Sequence, residues 1–143
     1  MNEDLLGYLL GRAYFQFHLG VREKARAAGL TDAKWIVAAA LTVRDGLHID
    51  ELGAALGYVL DEPLSNLLQC MQTDGWVHGD SQGRWYLTPS GRDRSLHLLA
   101  AAKAHESDLL SRWSYDEGTL LKLQLQKFIA ATNPGFADLW HET

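Results

Sequence analysis

From Thr31 to Gly91 the spacing of apolar residues is helical through three segments, then strand-like, then helical again, and few architectures satisfy that order. Thr31 is a natural N-cap, after which Trp35, Ile36, Ala39 and Val43 recur at helical intervals until Asp45-Gly46 interrupts them. His48 or Ile49 opens a short helix whose inner face is Leu52, Ala55 and Leu56; Gly57 closes it, and a turn runs through Tyr58 to Leu60. Asp61 is placed to cap a further helix, with Pro63 in the first turn, where its missing N–H has no intrahelical partner to lose. Leu64, Leu67, Leu68 and Met71 form the inner stripe of that helix. At about 100° per residue, Glu62, Asn66, Gln69 and Thr73 fall on the opposite face, with Ser65 and Cys70 at its flanks. After Asp74-Gly75, the runs Trp76-Val77-His78 and Arg84-Trp85-Tyr86-Leu87, joined by the turn residues Gly79 to Gly83, predict a β-hairpin.

Long helices flank this unit. Leu5, Leu6, Leu9, Leu10, Phe17 and Val21 form an apolar stripe in residues 3 to 28, closed by Gly29, with Gly7, Gly11 and Gly20 as weak points. Thr88-Pro89-Ser90-Gly91 opens a helix to about Trp113, and Ser114 caps another from Tyr115 to about Ala131, with Asp116 and Glu117 at its positive end. Asn133-Pro134-Gly135 stops that helix, and Phe136, Leu139 and Trp140 mark a tail expected to dock. A chain of 143 residues that is 47% apolar suits one domain with a substantial core. The reading is a mainly α fold with a small β-hairpin: residues 31–88 form one lobe, and 1–30 with 89–143 a helical region.

The charge is local. Asp45, Asp50, Glu51, Asp61, Glu62, Asp74 and Asp80 lie between Asp45 and Gly83 without a lysine or arginine, so this segment carries −7 of a net −5 and the remainder +2. Cys70, the single cysteine, excludes an internal disulfide and multi-cysteine zinc patterns, consistent with a reducing compartment. Glu3 and Asp4 stand where a signal peptide would be positive, and no apolar run approaches the ~18 residues of a membrane span. A cytoplasmic protein with no membrane association is expected. No phosphate-binding glycine loop or nucleophile motif is found, so neither an enzyme nor a cofactor is expected. His97, His105, Glu106 and Asp108 share one helix, but only the two histidines, eight apart, share a face, and no metal site is assigned.

In order and spacing these pieces resemble the MarR-type winged helix-turn-helix regulators over nearly the whole chain. The likeness rests on the long first helix, on GLTDAKWIV, on HIDELGAALG as the first helix of the helix-turn-helix, on LSNLLQCMQTDGWV as the recognition helix leading into the wing, and on LTPSG after it. It implies a homodimer built from the first and last helices, which binds a palindromic DNA operator through paired recognition helices. It also implies an optional small-molecule effector.

Asn66 and Gln69 have the paired donor and acceptor that read adenine edges in a major groove, with Ser65 beside them. Phosphate contacts, which supply most non-specific affinity, would come from Arg84, Arg44, Lys34 and Arg92. Arg84 either reaches the DNA backbone or pairs with Asp80 across the hairpin. Asp61 and Glu62 instead place negative charge where a helix N-terminus attracts phosphate. Two readings therefore stand: a DNA-binding dimer, or a winged-helix module whose acidic lobe binds a basic protein partner. Tyr14, His18, Trp35 and Trp113 either line a pocket for a small aromatic ligand or are plain core. Cys70 flanks the reading face, with no lysine or arginine near it in sequence to activate the thiol.

Overall fold

The computed structural model describes residues 5–56 and 60–132. The helix stop at Gly57, the turn residue Tyr58, and the terminal segment with Asn133-Pro134-Gly135, Phe136, Leu139 and Trp140 lie outside the described residues. The described chain runs α1 (Leu6–Ala27), α2 (Asp32–Val43), β1 (Leu47–His48), α3 (Ile49–Leu56), α4 (Leu64–Thr73), β2 (Val77–Gly79), β3 (Arg84–Leu87), α5 (Pro89–Leu110) and α6 (Tyr115–Thr132). It is mainly helical with one small antiparallel sheet, ordered β1-β3-β2.

Local chemistry sets the boundaries. α1 and α4 end in the same device: Gly29 and Gly75 adopt φ of +88° and +81°, a left-handed conformation that a side chain resists. The following N–H groups, of Leu30 and Trp76, return to the carbonyls of Ala25 and Met71, both at 2.9 Å. Each reversal delivers a large apolar residue, Leu30 or Trp76, into the core. α2 starts at Thr31, whose Oγ1 accepts the Lys34 N–H at 3.3 Å. Thr88 starts α5 by accepting the Gly91 N–H at 2.9 Å, and its hydroxyl donates to the Gly75 carbonyl at 2.6 Å. Ser114 and Glu117 form a capping box on α6: the serine Oγ accepts the Glu117 N–H at 3.2 Å and donates to its carboxylate at 3.1 Å.

α4 departs from the expected cap. Pro63, with extended backbone, holds the cap position and no side chain caps the helix. Asp61 sits two residues too early to reach the first-turn N–H groups, so it does not cap α4. A second departure is β1. The segment expected to open α3 first forms two strand residues, with Leu47 opposite Trp85 and His48 opposite Arg84. The hairpin itself pairs Val77 with Leu87, His78 with Tyr86 and Gly79 with Trp85.

The core of the lobe lies around α2. Val37, Ala38 and Leu41 pack with Leu52 and Ala55 of α3, Leu67, Leu68 and Met71 of α4, and Leu47, Trp76 and Val77 around the sheet. Each large apolar side chain removed from water stabilises the fold by roughly 1.5–3 kcal/mol. α1 crosses α5 closely at Gly20, where the His105 ring occupies the space a β-carbon would need and His105 Nε2 lies 2.8 Å from the Gln16 carbonyl oxygen. Arg94 joins three parts of the chain: it donates to the Ala28 carbonyl at 2.8 Å, and its guanidinium carbon stands 3.9 Å from the centre of a Trp76 ring. α6 is different, because only Gly118 of that helix is buried, while Leu120, Leu123 and Phe128 are exposed.

Candidate nucleic-acid interface and effector cleft

α4 rests on its Leu67, Leu68 and Met71 side and turns Ser65, Asn66, Gln69, Cys70 and Thr73 outward, all exposed. No side-chain hydrogen bond holds Asn66 or Gln69 to a described residue. Both amides are therefore available to an external partner. Gln72, one turn on from Gln69, ties α4 to the hairpin by accepting the Gly79 N–H at 2.9 Å. The hairpin tip is built on Asp80, whose Oδ1 accepts the backbone N–H of Arg84 at 3.0 Å and of Gln82 at 2.8 Å. These bonds, that from Arg84 first, hold the Asp80 carboxyl below its ordinary pKa against the opposing effect of desolvation. Gly83 completes the tip at φ +78°, and its carbonyl accepts the Ile49 N–H at 2.9 Å.

The cations around this face are engaged within the lobe. The Arg84 guanidinium donates to the Gly46 carbonyl at 2.9 Å and lies 3.5 Å from Glu51, so its side chain folds toward α3 instead of pairing with Asp80 across the hairpin. Arg92 contacts Asp45 at 2.8 Å, while the other oxygen of Asp45 accepts the Leu87 N–H at 2.9 Å. Lys34 reaches Cys70 Sγ at 3.1 Å and Asp74 at 3.9 Å. A cation does stand beside Cys70, then, although 36 residues separate the pair in sequence. Arg44, half-buried, follows the last turn of α2.

A second feature lies between α1, α2 and α5. Tyr14, Phe17, His18, Trp35, Ile36 and Ala102 are among the walls of a cleft of about 270 Å³. Tyr14 stacks on His18 with ring centres 5.4 Å apart. His18 is 8% exposed, and its Nε2 stands 3.2 Å from Asp32 Oδ1 without the alignment of a hydrogen bond. Arg22 Nε, 3.9 Å from the same carboxylate, is likewise buried without a hydrogen-bond partner. Burial, and after it the Asp32 charge, push the Tyr14 phenol above its ordinary pKa. Trp113 is not part of this cleft. It lies beyond the last residue of α5, Leu110, and is half-exposed.

Of the histidines on α5, His97 turns to its own helix, with Nδ1 2.8 Å from the Asp93 carbonyl oxygen, and His105 to α1. Among the described residues no three His, Cys, Asp or Glu side chains gather as a metal site would require. No described helix is long and apolar enough to cross a membrane.

A helix pair, α3 and α4, followed at once by the β2–β3 hairpin, whose β3 also pairs with β1 ahead of α3, defines a winged helix-turn-helix protein. No family model matches the sequence, and no curated protein is significantly similar to it. Solved structures are more informative. A transcriptional regulator of the MarR family from Silicibacter pomeroyi is 30% identical over 92% of this chain and 92% of its own, with a TM-score of 0.75. The chain belongs to the MarR family. A Mycobacterium tuberculosis MarR family protein is 25% identical over 90% of this chain and 98% of its own, with a TM-score of 0.62. A Methanosarcina mazei MarR regulator, 14% identical over 92% and 97% of the two chains with a TM-score of 0.76, shares the fold.

Proposed function

We propose that the chain is a transcriptional regulator that acts as a homodimer, binds a palindromic DNA operator through α4 of each copy, and responds to a small aromatic ligand in the Tyr14–His18–Trp35 cleft. The observation that carries this reading is the pair of unengaged amides, Asn66 and Gln69, one turn apart on the outer face of α4. With Ser65 they form a reading edge for a major groove. Arg84, Arg44 and Lys34 supply backbone contacts, exchanging internal partners for phosphate to do so. The Mycobacterium tuberculosis relative has been solved with DNA, with salicylic acid and with p-aminosalicylic acid, which supports both halves of the reading. The dimer is supported by apolar side chains exposed on the two terminal helices, among them Leu6 and Leu9 of α1 and Leu120, Leu123 and Phe128 of α6.

A second reading has its own observation. Because Arg84 and Arg92 are paired with Glu51 and Asp45, the acidic lobe presents few free cations, and a basic protein surface suits it better than phosphate does. Titrating the purified protein with its own upstream intergenic DNA and with unrelated DNA separates the two. The regulator reading expects selective binding, weakened tenfold or more by Asn66→Ala with Gln69→Ala, since an amide pair on a base edge contributes ~1–3 kcal/mol. Selective binding that the double variant leaves intact would reject α4 as the reading face. No selective binding by a folded dimer would favour the protein partner.

A further inference from the structure

The aromatic cleft does not stand alone. It meets a second, open cleft of about 720 Å³ that shares Tyr14 and Ile36 with it and lies against the end of α1, the start of α2 and the segment ahead of α4. The two differ in chemistry. The ionisable groups on the first are His18 and the Tyr14 phenol, whereas the second is walled by three carboxylates, Asp32, Asp61 and Glu62, and by Arg26. Asp61 and Glu62 are exposed and make no hydrogen bond or ion pair with any described residue. Asp32 is held only loosely by His18 and Arg22 at 3.2 and 3.9 Å, neither of them aligned as a hydrogen bond.

We infer that the ligand of this paired site is an aromatic amine in its cationic form, with its ring against Tyr14 and Trp35 and its ammonium among Asp32, Asp61 and Glu62. This rests on the effector reading above and specifies its chemistry. Aromatic walls pack against the ring, and carboxylates attract the ammonium through charge. A carboxylate ligand in the same pose would meet three like charges against Arg26 and the Arg22 that already faces Asp32 at 3.9 Å. The placement also supplies a route to α4. Asp32 opens α2, while Asp61 and Glu62 lie just ahead of Pro63, the cap residue of α4, so an ammonium between them fastens the reading helix to the frame formed by α1 and α2.

Calorimetric titration of the full chain with 2-phenylethylamine and with 3-phenylpropionate tests this, using the wild type, an Asp61→Asn/Glu62→Gln variant and a Tyr14→Ala variant. All three substitutions are at exposed positions, so folding is not at stake. The expected result is an amine bound about tenfold more tightly than the acid, a margin equal to ~1.4 kcal/mol. That preference disappears in Asp61→Asn/Glu62→Gln, and amine binding weakens in Tyr14→Ala. Preference for the acid, weakened by Tyr14→Ala, overturns the cation and leaves the aromatic cleft standing. Binding of neither probe, or binding indifferent to Tyr14→Ala, overturns the cation and the cleft together.

Discussion

Gly20 is a residue at which the sign of a substitution is informative. In an exposed helix, glycine to alanine stabilises by ~1 kcal/mol, which would apply if Gly20 were simply a weak point of α1. Because the His105 ring fills the space beside it, Gly20→Ala is expected instead to cost about 1–3 kcal/mol in urea unfolding. Adding His105→Ala should return most of that loss, and a stabilised Gly20→Ala would refute the close crossing of α1 and α5. Gly91 is more constrained, since a β-carbon there would overlap the Trp76 carbonyl, a backbone atom that cannot swing aside. Tyr14 gives a prediction in pH. Its phenol holds its proton more tightly in the folded chain than in the unfolded one, so the stabilisation is present at neutral pH and is lost as pH rises past the ordinary value of 10.0. The ultraviolet difference between wild type and Tyr14→Phe should place its ionisation above 10.0, and Asp32→Asn should bring it down; a midpoint at or below that value would contradict the packing of α1 on α2.

Among the elements, those with a chemical punctuation mark were legible from sequence. Thr31, Thr88 and Ser114 cap the helices they precede, and Gly29 and Gly75 end the helices they follow, because each acts on backbone groups within a few residues. What escaped was decided by partners distant in sequence. β1 has two residues, too few to show alternation, and exists because β3 pairs with it. The turn of Arg84 toward Gly46 and Glu51, and the meeting of Lys34 with Cys70, likewise follow from tertiary contact. Asp61 had the right residue type for a cap but the wrong register once Pro63 took the position. Tyr14, His18 and Trp35 gather because helical spacing turns them to one junction, whereas Trp113 shared only their residue type. Thr88 should be the most costly cap to remove. Thr88→Ala loses the bond from Gly91 and the bond to Gly75 outside its own helix, an expected ~2 kcal/mol, while Ser114→Ala loses the cap bond and an exposed bond to Glu117 of the same turn, about 1 kcal/mol. Equal losses on thermal unfolding would argue against the double role of Thr88.

For the whole molecule, the exposed apolar faces of α1 and α6 and the paired cations of the lobe make opposing demands. In the proposed homodimer a second copy of the chain covers the first, and Leu123→Glu with Phe128→Glu should then shift sedimentation from dimer to monomer; an unchanged dimer would place the interface elsewhere. The second limits how strongly phosphates can be held, since Arg84, Arg92 and Lys34 must leave Glu51, Asp45 and Asp74. Reading through Asn66 and Gln69 with few phosphate contacts implies selectivity that exceeds raw affinity. The most direct measurement is therefore binding of the dimer to its own upstream intergenic DNA and to unrelated DNA at ~50 and ~200 mM salt. Selective binding at both concentrations, with a salt dependence shallower than the 10³- to 10⁵-fold loss typical of ~6–10 phosphate contacts, is the expected result. Failure of a folded dimer to distinguish the two DNAs at ~50 mM salt would contradict a DNA-reading function for α4 on that operator.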